Sequence, residues 1–238
     1  MVVSGLTAPE GPGQMQPSPG SRQDLPQGGK APLVGLEAAA ECIAGGGVVA
    51  VPTDTVWGLV CSPRDAAAVE AVYAAKRRPA NMELTLLVNE PSAALELVAM
   101  SQGALRCAKA FWPGALSIIA STLAQPTAAS HGDQLVIPRD GSTLSVRMPA
   151  HPHLLGLLAR TGPLASTSAN LHGKPPPDSA GAIAELFGGA IAAVLVGSHG
   201  MQRPSTIIDV TGETPVLVRE GPIPFGEILS CWNQGAAF

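Results

Sequence analysis

The sequence predicts an α/β fold in which helices pack on a largely buried, mixed sheet, and three observations carry that reading. Short apolar runs rich in Val, Ile and Leu alternate with helical patterns along most of the chain. Gly and Pro punctuate the ends of those helical patterns. Late in the chain three extended runs follow one another with no helix between them, and parallel neighbours require a crossover.

Residues 1–32 are dense in Gly, Pro, Gln and Ser and offer little to bury, so they read as a disordered leader. A single folded domain is expected over 33–238. Leu36 to Ala44 reads as a helix closed by Gly45-Gly46-Gly47. The β-branched run 48–52 reads as a buried strand. Ala66 to Lys76 is an Ala-rich helix that Pro79 cannot continue. Residues 84–88 form a strand, Ser92 to Met100 a helix, and 103–111 another helix ending before Trp112-Pro113-Gly114. Strands follow at 115–121 and 143–148, a helix from His153 to Arg160, and an extended run at 163–167. Ala180 to Phe187 is helical; strands at 192–196, 205–210 and 215–220 precede a last helix from about Pro224.

Hydrophobic residues make up 46% of the chain but aromatics only 3%, so the core must be built from Ala, Val, Leu and Ile. A formal charge of -4 gives no general footprint for nucleic acid, which leaves only a local patch to bind it. The four cysteines form no CxxC pair, which argues against a zinc ribbon or disulfide framework and for a reducing compartment. Apolar stretches fall well short of the ~18 residues that span a bilayer, and no secretory signal is evident. A soluble cytoplasmic protein with no membrane association is expected.

Three segments carry the chemistry. In "VPTDTVWGL" (51–59) a buried strand runs into two hydroxyls flanking an acid, at the end of a strand where ligands sit. Taken alone, a Thr/Asp turn explains it better. "KRRP" follows a helix end, where cations are favoured by the macrodipole. The functional alternative puts Lys76 and Arg78 toward phosphate and Arg77 toward solvent. "LASTSANLHGKP" (164–175) brings Ser166, Thr167, Ser168 and Asn170 together, and "RPSTIIDV" (203–210) repeats the pattern with Ser205 and Thr206. No P-loop, nucleophile elbow or Ser-His-acid order is present. His151 and His153 lack further residues to complete a metal site and read as helix-start residues.

Taken in order, "GGGVVAVPTDTVWGL", "AAKRRP", "FWPGALSII", "LSVRMPAHP", "ASTSANLHGKPP" and "PSTIIDV…PVLVREGPI" resemble the YrdC/Sua5 family of threonylcarbamoyl-adenylate synthases, in its single-domain form. The resemblance spans roughly 33–229. It implies a twisted sheet with an open ligand groove, and a reaction joining L-threonine, bicarbonate and ATP into threonylcarbamoyl-AMP and pyrophosphate. Mg2+ would accompany ATP. A threonylcarbamoyl transferase partner would pass the product to adenosine 37 of tRNA, so tRNA is met only indirectly. Carried over by position, Lys76 and Arg78 would be the catalytic pair. Thr53, Thr55, Thr143 and Arg147 would bind L-threonine. Lys76, Arg78, Ser168, Asn170, Ser205 and Arg219 would bind ATP, with no protein-held metal.

The chain departs from the family pattern at Met82-Glu83, where a Lys followed by Pro or Gly is usual, and Trp57 replaces a smaller aromatic. Two other readings stand beside the synthase. One is a structured-RNA or ribosome-assembly module using Lys76-Arg77-Arg78. The other keeps the fold but uses a different carbamoyl donor, as in YrdC-like segments of carbamoyltransferases.

Overall fold

The computed structural model describes residues 29–77, 83–123, 135–136 and 143–234. The strands are β1 (Leu33–Val34), β2 (Val49–Val51), β3 (Gly58–Cys61), β4 (Thr85–Leu87), β5 (Leu116–Ser121), β6 (Thr143–Arg147), β7 (Leu164–Ser168), β8 (Ala193–Leu195), β9 (Thr206–Asp209) and β10 (Val216–Arg219). The helices are α1 (Leu36–Ala44), α2 (Ala66–Lys76), α3 (Pro91–Leu95), α4 (Gln102–Phe111), α5 (Pro152–Thr161), α6 (Ala180–Phe187) and α7 (Phe225–Asn233). All strands join one mixed sheet in the order β1-β8-β2-β3-β7-β4-β6-β5-β9-β10.

Strand alternation divides the apolar residues between two layers. One parity (Ala50, Leu59, Leu86, Ile118, Val146, Ala165, Ile208) packs with buried residues of α2, α4, α6 and α7. The other parity (Val49, Val51, Val60, Leu87, Leu164, Ala193, Leu195) packs with α1 and α5. Those two helices cover only the strands near β8, β2, β3 and β7. Further along, the same face carries Ser166, Ser168, Thr85, Ser145 and Arg147 in place of the apolar set. Among the described residues no helix lies over that polar half, and there the groove opens.

Local chemistry explains the helix ends. Asp65 caps α2, accepting from the backbone N–H groups of Ala67 (2.9 Å) and Ala68 (3.1 Å). The helix stops at Arg77, a left-handed residue with φ of 51°, an unusual state for a residue other than Gly. Gly46, just past α1, takes φ of 80°.

Several expectations need adjustment. The helix expected from Ser92 to Met100 stops at Leu95. Val98 instead bridges Thr122, Leu97 O accepts from Leu123 N–H (2.9 Å), and Ala99 N–H donates to Ser121 O (2.8 Å). Pairing with the end of β5 thus overrides local helix propensity. The folded part begins before Leu33: Ala31 is buried, its N–H donates to Ala184 O (3.1 Å), and Pro32 O accepts from Val194 N–H (2.8 Å). Residues 1–28 of the expected leader lie outside the described residues. β1 is too short to leave a periodic signal. Among the described residues, no helix is long and apolar enough to cross a membrane, and all four cysteines are free thiols.

Candidate active site

The floor of the groove follows from strand register. Leu87 on β4 stands opposite Arg147 on β6, Ser117 on β5 opposite Ile207 on β9, and Ile207 opposite Arg219 on β10. Ile118 pairs with Val146, so Ser117 and Arg147 are the next rung of the same ladder. A second row holds Ser166, Thr85 and Ser145 on β7, β4 and β6. Small hydroxyls on the floor leave depth for a ligand and line it with groups that both donate and accept. The wall on the β3 side is the 53–57 connection, and Pro204 and Ser205 contribute from the β9 side.

Arg147 is the hub. It is buried, with 6% of its surface exposed. Its Nε donates to Gly114 O (2.9 Å), Nη1 to Thr55 Oγ1 (3.0 Å) and Nη2 to Asp54 Oδ1 (2.7 Å). The donor directions along the Thr pair can be assigned. The Thr53 hydroxyl has one proton, and the Val56 carbonyl at 2.7 Å can only accept it. Thr55 Oγ1, 2.9 Å from Thr53 Oγ1, must therefore donate to Thr53 and accept from Arg147. Thr53 Oγ1 also accepts the Thr55 N–H (3.0 Å). Burial pushes the Arg147 pKa down, and Asp54 pulls it back up.

Arg219 forms the second cationic point. Its Nε and Nη2 donate to Ser205 O (3.1 and 2.9 Å), and Ser205 Oγ lies 2.9 Å from Ser117 Oγ. Burial lowers its pKa, and repulsion from the Arg147 charge lowers it further. The two arginines thus share one electrostatic environment, where a bound anion is favoured.

Of the residues expected at the site, Thr53, Thr55, Arg147, Ser168, Ser205 and Arg219 line this groove. Lys76 and Asn170 sit behind it. The buried Lys76 ammonium donates to Ser168 O, Asn170 O (2.9 Å) and Asn170 Oδ1 (3.1 Å). Asn170 Nδ2 in turn donates to Leu171 O (3.0 Å) and Lys174 O (2.6 Å). Lys76 therefore ties α2 to the turn that follows β7, while Arg77 is exposed. Thr143 stands at the far end of β6 opposite Ser121, four residues from Arg147 and apart from the lining. Arg78 and Met82 lie outside the described residues.

The sequence reading missed Thr85, Ser117 and the pairing of Asp54. Thr85 and Ser117 are single hydroxyls in apolar strands, and only strand register shows that they share the groove face. Glu83, one of the two residues of the Met82-Glu83 departure from the family pattern, also lines the groove. Among the described residues no cluster of three His, Cys, Asp or Glu is placed to hold a metal ion.

Comparison with known proteins agrees with this architecture. The model of the Sua5/YciO/YrdC family, described as telomere recombination, matches residues 41–221. A protein of Mycobacterium tuberculosis is 38% identical over 208 residues, covering 85% of this chain and 91% of its own length. The threonylcarbamoyl-AMP synthase of Pyrococcus abyssi is 38% identical over 199 residues, and this chain spans 56% of its length. Among solved structures, P. abyssi Sua5 complexed with L-threonine superposes with a TM-score of 0.72 at 36% identity, covering 82% of this chain and 56% of that one. E. coli YciO gives 0.70 at 27% identity, covering 82% and 92%. Full-length HypF, at 15% identity and a TM-score of 0.65, shares the fold alone.

Proposed function

The chain belongs to the Sua5/YciO/YrdC family, and from that premise we propose that it is an L-threonylcarbamoyladenylate synthase. It would use L-threonine, bicarbonate and ATP, release pyrophosphate, and supply threonylcarbamoyl-AMP for modification of adenosine 37 in tRNA. A transferase partner would complete that step. The observation that carries the reading is Arg147: held by three fixed acceptors, it keeps N–H donors to spare on the floor of a hydroxyl-lined groove. The likeness to a synthase and to a Sua5 structure complexed with L-threonine supports it.

The chemistry suits such a groove. Threonine's amine adds to CO2 derived from bicarbonate, and a carbamate oxygen then attacks the α-phosphorus of ATP as pyrophosphate leaves. This step depends on alignment and on stabilising charge more than on a strong protein base. Arg147 would orient the threonine carboxylate. Ser166, Ser168, Ser205 and Arg219 would offer donors to phosphate and ribose oxygens, with Arg78 joining them by position in the family pattern. Mg2+, carried on the phosphates of ATP, supplies further charge neutralisation. The reaction belongs in the cytoplasm, where its substrates and tRNA are found.

The test is pyrophosphate release by the purified protein. Release that requires threonine and bicarbonate together is expected. If none appears at saturating substrates while a family control is active, the synthase reading is abandoned. Salt-dependent RNA binding lost in an Arg77→Ala/Arg78→Ala variant, with no adenylate formed, would favour the RNA-module reading.

A further inference from the structure

We propose that Asp54 is a positioning residue for Arg147 and its resident counter-ion, fixing the guanidinium so that its remaining N–H donors meet the carboxylate of an amino-acid substrate. The inference rests on the synthase reading only for the identity of that substrate. The Asp54–Arg147 pair is 2.7 Å long, and the two side chains are 12% and 7% exposed. Among the described residues three of the five guanidinium N–H groups are engaged, leaving one on each terminal nitrogen. Each of these can donate one hydrogen bond to a bound carboxylate, and charge makes such bonds strong.

Asp54 is itself held from behind. Its carbonyl accepts from Met201 N–H (3.1 Å), and Thr53 O accepts from Gly200 N–H (2.8 Å). A Cβ on Gly200 would lie 2.4 Å from the Asp54 carbonyl oxygen, so only glycine permits this approach. The 198–201 segment therefore sets where the Asp54 backbone sits, and Asp54 in turn sets the plane of Arg147. Asp54 also sets an opposite charge against Arg147 in a groove that holds a second arginine, Arg219. Burial lowers the pKa of Arg147, and the Asp54 charge opposes that shift.

The decisive variant is Asp54→Asn, which keeps the shape and an acceptor oxygen but removes the counter-charge. Pyrophosphate release is followed against L-threonine at saturating ATP and bicarbonate, and melting temperature against sodium acetate, with sodium chloride as control. Expected is a kcat/KM for threonine about 10–100-fold lower, with a rise in KM as the grip on the carboxylate weakens, since charged hydrogen bonds are worth roughly one to two decades. Acetate should stabilise the variant more than the wild type, because a free carboxylate can now serve Arg147. Asp54→Glu keeps the charge but shifts the guanidinium, so kcat/KM should fall without any gain in acetate response.

An unchanged KM for threonine, or equal acetate responses in wild type and Asp54→Asn, would overturn the proposal. So would an Asp54→Glu protein with wild-type kcat/KM, a result that stands even if Asp54→Asn does not fold. A wild type that forms no adenylate would sink the synthase reading, while the acetate comparison would still judge Asp54.

Discussion

The ammonium of Lys76, on the last turn of α2, lies within hydrogen-bond distance of backbone carbonyls from both Ser168 and Asn170. These residues are more than ninety positions away in the chain, at the end of β7 and in the turn after it. A residue resembling a phosphate ligand in the sequence is therefore built into the wall that presents Ser168.

Replacing Lys76 by Met should accordingly destabilise the fold as well as lower activity. Buried acceptors that lose a charged donor cost about 1.5–3 kcal/mol. For a domain of this size that corresponds to a fall of roughly 3–12 °C in Tm. Lys76→Arg should not rescue it, because a planar fork cannot replace three converging ammonium donors. Differential scanning calorimetry checks this, and an unchanged Tm for Lys76→Met would remove Lys76 from the scaffold.

Arg219 should behave differently. It lies on the edge strand β10 and donates to Ser205, so Arg219→Ala should cost activity more than stability. A loss of about 10–100-fold in kcat/KM is expected from one charged hydrogen bond. Parallel kinetics and thermal melts separate the two effects. A large fall in Tm with kcat/KM retained would contradict the assignment.

Stability should fall in mild acid through His151. Its Nδ1 accepts the Leu154 N–H at the start of α5, and its Nε2 contacts Ser198 O (3.0 Å). Burial lowers its pKa below the ordinary 6.5; the Ser198 carbonyl and the nearby Asp54 charge oppose that, and His153 adds to it. The unfolded chain thus binds this proton more readily than the fold does. Stability is fully present above the unfolded pKa of about 6.5 and declines as pH falls through it. Denaturant midpoints between pH 5 and 8 should show this slope, and His151→Asn, which can still cap α5, should flatten it. An identical slope in the variant would assign the effect elsewhere.

The thiols of Cys61 and Cys107 should be silent in the folded protein. Burial pushes Cys61 and Cys107 up to about 12, with the charge of Asp65 adding to the first and Cys231 to the second. Thiolate, the reactive form, is then scarce at neutral pH. A disulfide reagent should label half-buried Cys42 first and reach Cys61 and Cys107 only on unfolding. Mass spectrometry of partly labelled protein checks the order.

Much of this was legible before the structure. α1, α2 and α6 have the limits that Gly45, Pro79 and Gly188 signal, because capping is written in neighbouring residues. The motif order identified the family without reference to any contact. What stayed hidden was long-range. Nothing local announces that Asp54 will meet Arg147, 93 residues on, and the acid between two threonines read, taken alone, as part of a Thr/Asp turn. α3 failed for the same reason: Val98 took a partner from β5, against its own segment's preference.

The half-covered sheet face also acts as a ruler. Arg147 and Arg219 project from β6 and β10, with β5 and β9 between them. At about 4.8 Å per strand, their backbones stand roughly 14 Å apart. Ladder hydrogen bonds fix that spacing, and no side-chain rotation can alter it. A ligand that touches both arginines therefore lies across the strands, over β5 and β9. The sheet thereby measures its contents before any chemistry begins.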